Sequence, residues 1–310
     1  MKFVLAGLVA AVVSTHSIAA GAQGADSDRW RAAMESARWT GPMLASNAET
    51  LPHGHFYTEP YFFDSISGGH HSFGSSGFYQ YGLLDSLTVG VQPNLSFGTD
   101  VPGRGTALGD FKLLSQVRLT HFTPNHRVPT VALVVNEGIP VGKYDRLGPS
   151  QDGHGSGSFA TEVGINVQNY WLLGNGRLLR GRINLLHNIP YGTDVAGRSV
   201  YGTAEGFIGH ARPGARTTVI GAVEYSLTRE WVVALDVIGE GASGGRVDGR
   251  YGTGPLISQT SPSSWYVGFA PAVEYNWSDR AGALFGLWVN PKGHNSPASV
   301  TPAIAIQRFW

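Results

Sequence analysis

The sequence predicts an all-β fold, an antiparallel transmembrane β-barrel of about 12 strands with a short N-terminal periplasmic segment. Three observations predict it: an export signal at the start, segments of alternating apolar and polar residues, and connections that are mostly long and short in turn. Alternation alone also suits a soluble sandwich. Short turns at one end and long loops at the other are typical of outer-membrane barrels, so the connections favour the barrel.

The first element is the export signal, predicted over residues 1–22. Met1-Lys2 is a minimal basic start, residues 3–13 are apolar, and Ala20-Gly21-Ala22 is a small-residue cleavage site. No later apolar run approaches the roughly 18 residues of a membrane helix. We therefore predict export to the bacterial outer membrane, and a membrane role would require a barrel.

Residues 23–52 differ in pattern from the rest of the chain. Residues 28–39 can form a short amphipathic helix, which Gly41-Pro42 would stop. We expect this stretch to be a periplasmic lead-in or a plug.

The period changes to two from His53 onward, and we assign residues 53–310 to the barrel. Long connections are expected at 64–75, 99–108, 141–157, 191–215, 243–263 and 291–298, and shorter ones between the other strands. The strands are predicted at about 53–63, 76–83, 87–98, 109–122, 130–140, 158–172, 177–190, 216–227, 231–242, 264–277, 281–290 and 299–310.

The alternation predicts which side chains face the lumen. In residues 110–120 the even positions are mostly polar and the odd ones mostly apolar, as they would be with one wet face and one lipid face. Residues 159–168, 179–185 and 267–276 repeat the pattern. Aromatic residues beside the short turns or at the C-terminus predict an interfacial girdle: Tyr170, Trp171, Tyr225, Trp231, Tyr275, Trp277 and Trp310.

Composition narrows the classes of function. The 310 residues include no cysteine, which excludes disulfides and thiolate metal sites. Lys plus Arg and Asp plus Glu are equal at 22 each, so the charge gives no reason to expect a nucleic-acid partner. Forty-three glycines and only 14% charged residues fit a sheet with many tight turns.

Short strand-and-turn motifs across most of the barrel carry a family resemblance. The motifs lie at residues 39–44, 51–61, 81–91, 109–112 and 138–142. On these motifs the chain resembles the outer-membrane transporter family associated with the meta-pathway of phenol degradation. The resemblance implies a small barrel that passes or binds small, often aromatic or apolar, solutes.

The predicted inward charges are the candidate functional residues, and they carry both signs. Buried charges must be paired or hydrated. They are interpreted either as a salt-bridge network that braces the wall or as a polar pathway that sorts solutes. The candidates are Asp110, Lys112, Arg118, Glu162, Arg180, Arg182, Glu224, Asp236 and Glu274.

Histidines raise two other kinds of function, a metal site and a hydrolase. His70, His71, His154, His210 and His294 fall in expected outer loops, but no spacing defines a metal site, so we predict no metal and no cofactor. His121 and His187 fall with the apolar set and are expected at the membrane interface. An outer-membrane hydrolase would need Ser72 beside a histidine that a third group orients, and no such group is evident.

The functional expectation is a barrel that passes small solutes, including aromatic or apolar ones, without an energy source. Side chains fill the interior of an eight-stranded barrel, whereas a barrel of sixteen strands encloses a water channel. A barrel of twelve strands lies between these sizes, so we expect a narrow lumen. The expected partners are outer-membrane lipid and a small-molecule solute. The alternatives are a structural or ligand-binding barrel without transport and, less favoured, the hydrolase; we predict no enzyme.

Overall fold

Strands make up most of the computed structural model, which describes residues 21–100, 105–124, 128–148 and 153–310. The export signal predicted over residues 1–22 falls almost wholly outside this range. One helix is present in the described part, α1 (Gly21–Glu35). The strands are β1 (Phe56–Ser67), β2 (His70–Leu84), β3 (Leu87–Gln92), β4 (Asn94–Thr99), β5 (Ala107–Leu108), β6 (Phe111–Thr120), β7 (Thr130–Ile139), β8 (Ala160–Leu172), β9 (Leu178–Pro190), β10 (Thr193–Ala196), β11 (Phe207–Arg212), β12 (Arg216–Ser226), β13 (Trp231–Ala242), β14 (Arg246–Tyr251), β15 (Ile257–Thr260), β16 (Ser264–Ser278), β17 (Ala281–Asn290) and β18 (Ser299–Phe309).

Twelve strands close into a barrel. The ring runs β1-β18-β17-β16-β13-β12-β9-β8-β7-β6-β3-β2, and β2 pairs with β1 to complete it. Every pairing is antiparallel; Phe56 lies opposite Tyr81 on one side of β1 and Tyr57 lies opposite Phe309 on the other. Closure leaves no open edge around this ring. The predicted fold class, strand count included, is confirmed.

One predicted strand, 87–98, is interrupted. Pro93 separates β3 from β4, because proline has no N–H to donate to the ladder. The short β5 lies in the connection expected at 99–108, and Gly109 and Asp110 separate it from β6. The short β4 and β5 pair with each other through Leu95 and Leu108, and β4 continues the wall beside β2.

Connections differ at the two ends of the barrel. We call the end that carries the short β2–β3, β8–β9, β12–β13 and β16–β17 turns the turn end, and the opposite end the loop end. The long connection expected at 64–75 is wrong, because β1 and β2 continue through it to a two-residue turn. Gly68 and Gly69 make that turn with φ of 60° and 82°, a conformation that glycine adopts without strain.

The connections at 191–215 and 243–263 contain a second sheet, which the sequence did not predict. It has four strands in the order β10-β11-β14-β15 at the loop end. Val195, Phe207, Ala211 and Val247 form its buried face. These strands are only four to six residues long, which is too short for an alternating pattern to stand out.

The barrel wall has an apolar outer face and a largely polar inner face. Along β16 exposed and buried residues alternate strictly over most of the strand, with Phe269 and Val273 outside and Glu274 inside. Trp171, Trp231, Tyr275 and Trp277 are exposed near the turn end, as an aromatic girdle requires. Tyr170 departs from the expected girdle, because its ring lies against Trp39 in the interior.

The outer face supports a first prediction. Val163 on β8 is 41% exposed, and Val163→Arg would place a charge against the hydrocarbon of a bilayer. We expect this variant to lose about 2 to 4 kcal/mol of folding free energy in lipid vesicles. Leu256→Arg is the matched control, since Leu256 is 81% exposed in the β14–β15 connection of the second sheet. Equal stability of both variants in urea titrations would show that Val163 does not face lipid.

Helix α1 begins and ends earlier than the sequence predicted. It stops at Glu35, where the Ser36 hydroxyl donates to the Ala33 carbonyl oxygen at 2.8 Å. Ala33 and Ala37 pack against Leu178 at the turn end. The residues predicted to extend the helix to Trp39 instead enter the barrel. No helical segment in the described part of the chain has the length and apolar character that crossing a membrane demands.

Candidate functional site

Residues 38–51, which we call the inner segment, pass through the barrel interior. The segment enters beside the β16–β17 turn, where Arg38 Nε donates to Asp279 Oδ1 at 2.5 Å. This hydrogen bond, together with the positive charge, holds the pKa of Asp279 below its ordinary value. The Arg38 N–H also donates to the Arg229 carbonyl oxygen at 3.0 Å, so two turns anchor the entry point.

Two candidate carboxylates bind the backbone of the inner segment. Glu274 Oε2 accepts the Thr40 N–H at 2.7 Å, and the two Asp236 oxygens accept the N–H groups of Leu44 and Ala45 at 3.3 and 3.0 Å. Charge-assisted hydrogen bonds of this kind are stronger than neutral ones. The two buried carboxylates therefore fix the path of the segment through the interior.

The inner segment reaches the middle of the barrel at Ser46. Asn184, near the centre of β9, accepts the Ser46 N–H at 2.8 Å and donates to its carbonyl oxygen at 3.1 Å. Arg182 Nη1 donates to the Ala45 carbonyl oxygen at 2.7 Å. Earlier in the inner segment, position 41 favours glycine for two reasons. Its φ is 135°, and a Cβ atom there would lie about 3.3 Å from the Arg182 guanidinium.

Glu49 holds the far end of the inner segment. Its carboxylate accepts hydrogen bonds from Arg118 Nη1 at 2.9 Å and from the Thr130 hydroxyl at 2.5 Å, and Gln116 donates to its carbonyl oxygen at 3.0 Å. The segment then leaves at the turn end, where the Thr50 hydroxyl donates to the Asp85 carbonyl oxygen. The inner segment therefore enters and leaves through the turn end.

Arg180, Arg182 and Glu224 form a buried ion-pair cluster. Arg180 Nε donates to Glu224 Oε2 at 2.7 Å, and Arg182 Nε lies 3.2 Å from the same oxygen. The Arg180 guanidinium also lies 4.4 Å above the Trp39 ring, a cation–π contact with the inner segment. The Glu224 carboxylate thus pairs with both arginines. The cluster links neighbouring strands of the wall and also contacts the inner segment.

A second polar group lines the interior toward the loop end. Lys112 Nζ donates to Glu162 Oε2 at 3.1 Å, and Asn136 donates to the other oxygen at 2.9 Å. Amides continue this network, with Asn166 donating to Gln116 at 2.8 Å. Eight of the nine candidate charges therefore lie in the interior in ion pairs or hydrogen bonds to the inner segment.

Asp110, the ninth candidate, joins the wall to a loop. It lies in the break between β5 and β6, and its carboxylate accepts the N–H groups of Gly142 at 2.9 Å and Ser156 at 2.7 Å. Tyr201 from the next long connection donates to the Ser156 carbonyl oxygen. Burial, followed by the negative charge of Asp110, raises the pKa of Tyr201 to about 12. Asp110 therefore helps to hold the folded connections over the loop end.

Two adjoining cavities lie beneath these connections. The first has a volume of about 580 Å³ and lies between β1, β2 and β4 on one side and Leu147, Gly153, His154 and residues 198–200 on the other. The second, of about 570 Å³, extends past Asp110 and Tyr201 and shares Asn94, His154 and Val200 with the first.

Glu59 and Glu49 are interior carboxylates that were absent from the candidate set. Glu59 on β1 is buried and accepts a hydrogen bond from the Tyr61 hydroxyl at 3.1 Å. The alternation of predicted strand 53–63 could have placed it inside. Glu49 lies outside any strand, and its partner Arg118 is 69 residues away, so no local pattern indicates the contact.

The histidines make separate contacts. His71 Nδ1 lies 2.7 Å from Asp64 Oδ2, an acid that the sequence analysis did not associate with it. Ser72 is the next residue on β2 and so points to the opposite face. His121, expected at the membrane interface, lies 3.3 Å from Glu49 Oε2. No group of three metal-binding side chains occurs in the described part of the chain.

Comparison with known proteins supports the fold. No protein-family model and no curated protein matches the chain. An outer membrane channel from Pseudomonas putida F1 is similar at 14% identity, over 86% of this chain and all 100% of that one, with a TM-score of 0.55. NanC porin matches at 8% identity over 80% of this chain and 98% of its own, with a TM-score of 0.47. The toluene transporter TodX of Pseudomonas putida matches at 10% identity over 89% of this chain and 94% of its own, with a TM-score of 0.40.

The chain therefore has the β-barrel fold of an outer membrane channel.

Proposed function

We propose that the chain is an outer-membrane channel for the passive passage of small solutes, with a lumen narrowed by the inner segment. Residues 1–22 would direct export, residues 23–52 would form the lead-in that includes the inner segment, and residues 53–310 would form the barrel. The apolar outer face and the barrel fold support the membrane location. The resemblance to the transporter family of the phenol meta-pathway supports small aromatic or apolar cargo.

One observation carries this proposal: the barrel interior is lined by charges of both signs and partly filled by the inner segment. Asp236 and Glu274 hold the segment, while Lys112 and Glu162 line the interior closer to the loop end. Side chains alone fill an eight-stranded barrel, whereas twelve strands enclose a wider interior. The arrangement suits a narrow polar pathway that admits small solutes and excludes large ones.

The test is reconstitution of the intact protein. We expect purified chain in planar bilayers to give small, discrete conductance steps, and proteoliposomes to admit small aromatic solutes faster than protein-free liposomes. Proteoliposomes that exclude a large sugar while admitting benzyl alcohol and benzoate would match a narrow lumen. Bilayers that stay sealed, with solute entry equal to that of protein-free liposomes, would reject transport and favour a structural or ligand-binding barrel.

A further inference from the structure

We propose that the first loop-end cavity is a binding site for a small aromatic carboxylate, in which Arg198 and His154 bind the carboxylate and apolar side chains bind the ring. The inference rests on the proposed function, because it names the class of solute that such a channel would select. The volume of about 580 Å³ lies within the range of small-molecule pockets.

The cavity walls combine an apolar surface with a cationic one. Phe63, Leu147 and Val200 are apolar lining residues, and Arg198 and His154 are lining residues whose side chains carry nitrogen donors. An aromatic ring packs favourably against Phe63, and Arg recognises a carboxylate through two parallel hydrogen bonds. A ligand with one ring and one carboxylate would use both parts of the wall.

Backbone hydrogen bonds hold the chain on both sides of Arg198. The Leu147 N–H donates to the Arg198 carbonyl oxygen at 2.9 Å, and the Val200 N–H donates to the Tyr144 carbonyl oxygen at 2.9 Å. These bonds join the segment around Arg198 to residues 144–147. The Arg198 backbone is therefore tied to a second connection that lines the cavity.

The charge of Arg198 has no counterpart in the described residues. Arg118, Arg182 and Arg216 each lie within 3.2 Å of a glutamate oxygen, whereas no carboxylate of the described chain forms an ion pair with Arg198. Among the residues that the structure describes, neither aspartate nor glutamate lines the first cavity. Asp110 lines the adjoining cavity instead and is already bonded to Gly142 and Ser156. A half-buried cation in such a pocket favours an anionic ligand.

The experiment is isothermal titration calorimetry on the intact protein in detergent micelles, with benzoate, benzyl alcohol and acetate as probes. We expect saturable binding of benzoate. Benzyl alcohol should bind more weakly because it has no carboxylate, and acetate should bind more weakly because it has no aromatic ring. Arg198→Gln should weaken benzoate binding at least tenfold and leave benzyl alcohol unchanged. Arg250→Gln is the matched control, since Arg250 is exposed on β14 and is not among the residues that line either cavity.

A second variant, Val200→Trp, should block benzoate by filling the cavity without removing charge. The proposal would be overturned if Arg198→Gln and Val200→Trp both bound benzoate as tightly as the unsubstituted protein does. It would also be overturned if the unsubstituted protein showed no saturable benzoate binding. Acetate binding as tight as benzoate would also overturn it. Arg198-dependent benzoate binding by a chain that does not conduct would uphold this site and reject the channel, whereas conductance without benzoate binding would do the reverse.

Discussion

Glu224→Ala is expected to cost about 3 to 5 kcal/mol of folding free energy. The substitution leaves Arg180 and Arg182 buried without the carboxylate that pairs with both, and uncompensated buried charge is among the most damaging changes to a folded protein. The measurement is urea unfolding in lipid vesicles, followed by the shift in gel mobility between unheated and boiled samples.

Glu240→Ala is the control for that experiment. Glu240 also pairs with an arginine, since Arg216 Nη1 lies 3.1 Å from Glu240 Oε1, but the Arg216 side chain is more than half exposed. Water can replace the lost partner there, so we expect a loss within about 1 kcal/mol. Similar losses for the two variants would show that the Arg180–Glu224–Arg182 cluster is hydrated rather than buried.

The same cluster limits the use of Arg180 and Arg182 as probes of selectivity. Charge at alternate positions of one strand suggests that reversing both arginines would shift ion preference toward cations. In the structure both arginines share Glu224, so reversal would place three negative groups together in the interior. We expect loss of folding before any change in ion preference. Lys112 is a better site for such a probe, because its side chain is partly exposed and Glu162 is its one ion-pair partner among the described residues.

Strand number and facing could be predicted because both follow from local pattern. A strand with one face in lipid must alternate strictly, and β16 does so from Trp265 to Trp277. The inward position of Glu274 follows from that parity alone. Pro93 could have been recognised as an interruption, since proline removes a ladder hydrogen bond.

The contacts that hold the inner segment in the lumen could not be predicted, because they join distant parts of the chain. Ser46 meets Asn184 across 138 residues, and Thr40 meets Glu274 across 234. The long connection predicted at the Gly- and Ser-rich residues 64–75 was wrong for another reason. It has loop composition, yet small residues are compatible with a tightly packed hairpin, in which Phe63 lies over Gly74.

Removal of residues 23–48 is expected to raise conductance severalfold. These residues include most of the inner segment, whereas Glu49 and its bonds to Arg118 and Thr130 would remain. Without the segment, water can solvate Asp236 and Glu274, and a twelve-stranded barrel should then enclose a wider aqueous path. Removal of residues 23–34 alone is the control, because it leaves the contacts of residues 38–51 in place.

Single-channel conductance in planar bilayers tests most directly whether the inner segment narrows a conducting lumen. The intact chain, the chain lacking 23–34 and the chain lacking 23–48 would be compared at one salt concentration, after gel mobility has shown that each is folded. We expect small and similar conductance steps from the first two and much larger steps from the third. Equal conductance in all three, or none in the chain lacking 23–48, would contradict the account.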